Sequence, residues 1–278
     1  MDKTKKIEQS IIKKYRKEIW RKFVKGVQEY DLIQPGDKIA VCISGGKDSM
    51  LLAKLLQELK KHGKFDFGLV FLSMDPGYNH KNKEKIKQNA EILEIPLEIF
   101  ESDIFNIVEG IEKSPCYLCA RMRRGFLYAK AQELGCNKIA LGHHYDDVLE
   151  TILLGMFYGS QVQTMMPKLH STNFKGMELI RPMYLIEEKD IIHWCQYNEL
   201  SFIQCACRFT EEMEELGKVE HTSKREEMKN LIKYLETMNP NVKKNIFKSV
   251  ENVNLATIIA YSDECGKHYF LDDYEEKE

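Results

Sequence analysis

The chain has 278 residues, 43% of them hydrophobic and 30% charged, with eight cysteines and a formal net charge of −2. This length and apolar content build one large domain, or one domain with appendages, without disulfide staples, and they exclude collagen-like and disordered classes. No apolar run reaches the roughly 18 residues of a membrane-spanning helix, and near-neutrality gives no overall electrostatic signature of a nucleic-acid binder.

The first thirty residues hold ten Lys or Arg against four acids, and 263–278 hold seven acids against two bases. The opening MDKTKKIEQS lacks the apolar stretch of a secretory signal. A cytoplasmic location is therefore expected, with the cysteines in a reducing environment as ligands, redox groups or buried thiols.

Apolar residues at Ile7, Ile11, Tyr15, Ile19, Phe23, Val27 and Tyr30 form a helical stripe with Lys and Arg on the opposite face. Pro35-Gly36-Asp37 ends it in a turn. Strand and helix patterns then alternate. Lys38–Ile43 reads as a strand, Ser49–Lys61 as a helix, Phe67–Ser73 as a strand and Asn82–Leu93 as a helix. Leu97–Phe100 is strand-like, and helical patterns follow near Asp103–Ile111 and Cys119–Leu134. Lys138–Leu141 is a strand leading into a helix from about Asp146. Glu178–Ile180 is a last strand and Glu187–Asn198 a last helix of this series. Apolar strands interleaved with helices predict an α/β fold with a doubly wound, mainly parallel sheet of about five strands. Beyond Thr210 only helical patterns and a charged tail are legible. The expected organisation is a basic N-terminal helix over 1–34, a central domain over 35–210 and a helical extension with an acidic tail over 211–278.

Three motifs carry chemistry. The first is Val41-Cys42-Ile43-Ser44-Gly45-Gly46-Lys47-Asp48-Ser49, which follows the first strand and opens a helix. Two glycines allow close backbone approach, and a helix start presents free N–H groups and the positive dipole end, which together suit a phosphate or pyrophosphate. The spacing is neither that of a Walker loop nor G-x-G-x-x-G.

The second motif is Cys116-Tyr117-Leu118-Cys119 at the start of a helical pattern. Two thiolates at this spacing bind a metal or cluster, or form a redox pair. Zinc needs four ligands and no partner C-x-x-C exists, but Cys205-Ala206-Cys207 supplies at least one further thiol. Three cysteines can hold a four-iron cluster and leave one iron open for an exogenous sulfide. Arg121, Arg123 and Arg124 follow, either as contacts to RNA phosphates or as an exposed basic helix face. Cys42, Cys136 and Cys195 read as small buried hydrophobes, and Cys265 as incidental.

The third is Leu141-Gly142-His143-His144-Tyr145-Asp146-Asp147, a strand end running into a helix start. Carboxylates at the C-terminal edge of a parallel sheet hold Mg²⁺ against nucleotide phosphates, act as general bases, or cap the helix.

SGGKDS resembles the phosphate loop of the N-type ATP pyrophosphatases, the PP-loop superfamily. With CYLCARMRRG, ALGHHYDD, MFYG, PKL and IRPM in order, roughly residues 15–210 resemble the tRNA 2-thiocytidine synthetases, the TtcA group. The resemblance implies an adenine nucleotide α-hydrolase-like fold. It also implies thiolation at C2 of a cytidine in the tRNA anticodon loop, at position 32, using ATP, Mg²⁺ and a [4Fe-4S] cluster. By motif position, Ser44, Gly45, Gly46, Lys47, Asp48 and Ser49 hold the ATP phosphates, and Asp75, Gly142 and His143 line the nucleotide site. Asp146 and Asp147 are the acidic pair, and Cys116 and Cys119 are two cluster ligands. The third ligand is Cys205, or Cys207 as the alternative, because the family's second C-x-x-C is C-x-C here. A persulfide on Cys116 or Cys119 without a cluster, action on another base, and a non-catalytic nucleotide and Fe–S binding regulator are the rival readings. The implied partners are tRNA and a cellular sulfur donor such as a cysteine desulfurase, and homodimers are common in this family.

Overall fold

The computed structural model describes residues 3–63, 65–102, 104, 115–203, 223–272 and 274, with backbone alone at 115–117, 119 and 120. The expected helix at Asp103–Ile111, Cys205 and Cys207 therefore lie outside the described residues. The chain divides into two compact units, one of Met1–Val148 with Met165–Thr222, the other of Leu149–Thr164 with Ser223–Glu278.

The first unit is built on a six-stranded sheet of β1 (Lys38–Cys42), β2 (Gly68–Asp75), β3 (Leu97–Glu101), β4 (Lys138–Ala140), β5 (Lys168–His170) and β6 (Glu178–Ile180). The order is β3-β2-β1-β4-β6-β5. All pairings are parallel except β5 with β6, so the expected parallel sheet gains an antiparallel edge. From β1 the chain winds outward to β2 and β3, then returns to place β4 on the other side. That reversal opens a crevice beyond the C-terminal ends of β1 and β4.

Period-two alternation divides the core between the two faces of the sheet. Ile39 and Val41 of β1 face a cluster with Met50, Leu51, Leu55 and Leu56 of α3 (Lys47–His62). Ala40 and Cys42 face the other side, with Tyr128 and Ala131 of α5 (Pro115–Glu133). The burial of Cys42, Cys136 and Cys195 matches their reading as packed thiols. α4 (His80–Ile92) and α7 (Glu188–Tyr197) join the first face through Ile86, Ile191 and Trp194.

The N-terminal stripe also packs there, with Ile7, Ile11, Ile19 and Phe23 fully buried. A strict four-residue spacing overshoots a 3.6-residue turn by about 40° per repeat. The chain absorbs this by leaving α-geometry between α1 (Lys3–Gln9) and α2 (Arg21–Glu29). Wider π-turns occupy Ser10–Lys14 and Arg16–Trp20, with Trp20 N–H donating to Tyr15 O at 3.2 Å. The extra residues per turn return the stripe to the core.

α6 (Tyr145–Gly159) begins in the first unit and continues in the second, which also contains α8 (Lys224–Met238) and α9 (Val242–Ser249). Where only helices were legible, β7 (Ala260–Asp263) and β8 (Gly266–Tyr269) form an antiparallel hairpin. Four-residue strands give too short a window for period two to register. Their turn is fixed by Asp263 Oδ1, which accepts Cys265 N–H at 2.8 Å. No helix among the described residues is long and apolar enough to cross a membrane.

Candidate functional site

Three connections and the start of a helix come to the C-terminal edge of the sheet in the first unit. The loop after β1 turns at Gly45, whose φ of +85° is open to glycine at little cost. A Cβ at Gly45 would lie 2.6 Å from Ile86 and 2.7 Å from Ile203, so space as well as conformation demands glycine. Ser49, almost wholly buried, organises the loop. Its Oγ accepts Ser44 N–H at 3.2 Å, lies 3.2 Å from Ser44 Oγ and donates to Gly46 O at 3.0 Å. The first turn of α3 has no side-chain cap. An uncapped helix start beside a glycine turn is an anion-binding arrangement.

Lys47 Nζ lies 3.2 Å from Asp48 Oδ2 and 3.1 Å from Glu188 Oε1. Burial is the larger influence on Lys47 and lowers its pKa, but the two carboxylates together leave it raised. Burial, with Asp147 adding to it, pushes the Asp48 carboxyl above its ordinary range against the pull of His144 and Lys47. Asp48 Oδ1 is buried without a hydrogen-bond partner, 3.9 Å from His144 Nε2. A cavity of about 440 Å³ opens beside this group, lined among others by Lys47, Asp48, Glu188, Phe202 and Ile203.

The connection after β4 sits directly on this loop. A Cβ at Gly142 would lie 3.0 Å from the Asp48 carbonyl carbon and from Ser49 N. Glycine at 142 thus lets the His143-His144 segment approach the start of α3. His143 is half-buried and His144 buried. Asp147 Oδ2 accepts His144 N–H at 2.9 Å. Asp146 Oδ2 accepts the N–H of Glu188 at 2.7 Å, at the start of α7. Both acids therefore support backbone, and each also faces His144, whose Nδ1 is 3.9 Å from Asp146 and 3.5 Å from Asp147.

After β2, Asp75 closes a turn through Pro76 and Gly77. Its Oδ1 accepts Gly77 N–H at 2.9 Å and Tyr78 N–H at 2.7 Å, and its Oδ2 is 2.8 Å from Lys83 Nζ. Burial raises its pKa, but Lys83 and the two N–H donors outweigh that and hold it below the ordinary range. The start of α5 comes to the same edge, because Leu118 and Met122 pack on Met74 at the end of β2. Pro115 occupies the first helical position, where its missing N–H costs nothing. The backbone places Cys116 and Cys119 on the first turn of α5, at the edge that carries Asp75 and the glycine loop.

The three arginines of α5 differ. Arg121 and Arg124 are exposed, whereas Arg123 is half-buried and donates from Nη2 to Tyr78 OH at 2.9 Å. Burial pushes the thiols of Cys42 and Cys195 up to about 12 and raises that of Cys136. These three are protonated at neutral pH and are poor thiolate donors. A cluster would therefore not draw its sulfur ligands from these three. Among the described residues no three His, Cys, Asp or Glu side chains form a metal site by themselves.

Sequence reasoning missed Glu188, Lys83 and Tyr78. Glu188 was one of several acids at a helix start, and only the fold brings it to Lys47.

The family model of the PP-loop domain matches residues 14–208. The chain is 41% identical over 182 residues to a tRNA-cytidine(32) 2-sulfurtransferase of Neisseria meningitidis serogroup C (strain 053442), a match spanning 64% of this chain and 57% of that protein. It is 40% identical over 210 residues to the enzyme of the same name from Aliivibrio fischeri (strain MJ11), spanning 74% of this chain and 67% of the relative. Among solved structures, the U34-tRNA thiolase NcsA from Methanococcus maripaludis with its [4Fe-4S] cluster superimposes with a TM-score of 0.65 at 23% identity, covering 83% of this chain and 76% of that one. The last likeness is one of fold. Glycine loop, acidic connection and sheet order agree with the family match, and the chain belongs to the PP-loop domain family.

Proposed function

We propose that this chain is an ATP-dependent tRNA sulfurtransferase that replaces the C2 oxygen of cytidine 32 with sulfur. The observation that carries the reading is the meeting, at one sheet edge, of the Ser44–Ser49 loop, the acids at 146–147 and the Cys116–Cys119 turn. The names of relatives about 40% identical support it.

The C2 oxygen of the base attacks the α-phosphorus of ATP; one P–O bond forms, and the bond to pyrophosphate breaks. Pyrophosphate is held by the uncapped start of α3, the glycine turn and Lys47, which stabilise the charge that develops on it. Mg²⁺ uses one or two carboxylates together with phosphate oxygens and water. Asp48 Oδ1, buried and without a hydrogen-bond partner, fits that demand, with Asp146 and Asp147 nearby. Sulfide then adds to C2, the C2–O bond breaks, and AMP leaves with the former base oxygen. There is no net oxidation or reduction. Cys116, Cys119 and Cys205, or Cys207 in its place, would hold a [4Fe-4S] cluster, which would supply the sulfide when bound. The sulfur comes from a cytoplasmic donor such as a cysteine desulfurase.

RNA docks on α1 and the π-turns. There Lys3, Lys6, Lys13 and Lys14 surround a groove of about 690 Å³ beside Tyr197, with Lys14 Nζ 3.4 Å from the Tyr197 ring centroid. Lysine clusters beside an exposed aromatic ring suit an RNA backbone and an unstacked base.

Mass spectrometry of nucleosides from total tRNA, with and without the gene, tests the function. Loss of 2-thiocytidine on deletion is expected. Unchanged 2-thiocytidine with loss of another thionucleoside reassigns the base, and no change in any thionucleoside overturns the reading.

A further inference from the structure

One charged side chain of the edge is unused by the chemistry above. Arg181, immediately after β6, is only 7% exposed, yet among the described residues it forms no ion pair. Its backbone N–H donates to Pro167 O at 2.9 Å, and Nη1 donates to Met166 O, which anchors the guanidinium to the segment entering β5. Nε is buried without a hydrogen-bond partner. Tyr128 of α5 packs in one cluster with Leu179 of β6, which brings the turn of α5 carrying Arg124 to the strand that Arg181 follows. Burial first, then Arg124, lowers Arg181 to about 10, while Tyr184, Tyr128 and Asp147 pull more weakly the other way. Arg124 precedes Tyr128 by one turn of α5, and Tyr128, stacked on Phe174 at 5.0 Å, feels both arginines.

A desolvated guanidinium without an ionic partner, under the further repulsion of Arg124, is unfavourable until an anion joins it. The planar fork of arginine matches phosphate oxygens, and a free Nε leaves one edge of that fork open. β6 is two strands from β1 in the sheet order, about 10 Å at the usual strand spacing. An anion there is distinct from the pyrophosphate held after β1.

We propose that Arg181 and Arg124 form a receptor for a phosphodiester anion at the C-terminal end of β6. Two phosphodiesters reach this edge in the proposed reaction: the RNA backbone flanking the target base, and the adenylyl phosphate joined to that base. The RNA source rests on the tRNA thiolation reading; the anion site does not.

The test uses the full-length chain, its Arg181→Met and Arg124→Ala variants, and two probes, a short anticodon stem-loop RNA and AMP. Binding is read by fluorescence anisotropy over a range of salt, and folding by thermal melting. With Arg181 serving a ligand, Arg181→Met melts at or above the wild-type temperature, because a buried unpaired charge is removed. RNA binding about tenfold weaker, with a salt slope reduced by about one, identifies the backbone phosphate. Intact RNA binding with AMP about tenfold weaker identifies the adenylyl phosphate. Unchanged binding of both probes by folded variants overturns the proposal. If Arg181→Met does not fold, the exposed Arg124→Ala decides alone, by the same criteria. Binding is scored without turnover, so a chain that holds RNA through this pair but leaves 2-thiocytidine unchanged keeps the receptor and loses the sulfurtransferase reading.

Discussion

Asp146 accepts the backbone N–H of Glu188 at 2.7 Å, across 42 residues of sequence. The carboxylate thereby fixes the start of α7, and Glu188 in turn meets Lys47 of the glycine loop at 3.1 Å. The position of the phosphate-facing lysine thus depends on a carboxylate in a different motif.

Replacing Asp146 separates its two roles. Asp146→Ala removes an acceptor from a helix start and is expected to cost about 1–2 kcal/mol, together with loss of ATP–pyrophosphate exchange. Asp146→Asn keeps an oxygen acceptor and should retain most of the stability while losing exchange. Equal stability loss in both variants, measured by urea unfolding, counts against the acceptor role.

Gly142 is a spatial requirement. Its Cβ position is 3.0 Å from backbone atoms of Asp48 and Ser49, and backbone yields less readily than a side chain. Gly142→Ala is expected to cost about 1–3 kcal/mol by overpacking and to weaken ATP binding, read by isothermal titration, by tenfold or more. Wild-type ATP affinity in this variant shows that the connection is free to retreat.

The cysteines divide by environment. Cys116→Ala and Cys119→Ala are expected to abolish both bound iron and thiolation after anaerobic purification, with ATP affinity unchanged. Cys195→Ala, which replaces a buried thiol pushed up to about 12, should keep its iron. An iron-free wild-type protein that thiolates tRNA would establish the persulfide route.

Acid should loosen the N-terminal edge of the sheet. Asp37 accepts Gln34 N–H at 2.6 Å and Asn137 Nδ2–H at 2.7 Å, and lies 2.9 Å from Lys138 Nζ. Burial raises its pKa, but these three partners outweigh it and leave the carboxyl below its ordinary value of 3.8. A depressed folded pKa contributes stability that is complete above the unfolded value and lost as pH falls through the folded one. Urea midpoints should therefore drop between about pH 5 and pH 2, and Asp37→Asn should flatten that drop. An unchanged pH profile in Asp37→Asn would remove this carboxylate from the acid transition.

Local pattern determined much of this protein. The β1 strand was legible because Ile39, Val41 and their neighbours are continuously apolar, as a strand covered on both faces must be. The glycine loop was legible because a Gly-Gly pair stands between a strand and a helix start, and because SGGKDS resembles the loop of the PP-loop superfamily. α3, α4, α7 and β6 fell close to their expected bounds, since each carries its periodicity within a single window. The stripe of Ile7, Ile11 and Ile19 announced a helix, yet its four-residue spacing was the sign of π-turns and was read as ordinary helix.

What only the tertiary structure decided is pairing over distance. Asp146 with Glu188, Lys47 with Glu188, Arg123 with Tyr78 and Arg181 beside Arg124 join segments 42 to 141 residues apart. The antiparallel docking of β5 and the hairpin of β7 and β8 belong to the same class, because three- and four-residue strands acquire their state from a partner. A side chain's type and its local period are properties of the sequence. Which carboxylate meets which lysine, and which arginine is left without one, depends on the order in which six strands are laid side by side, and that order is set by packing of the whole core.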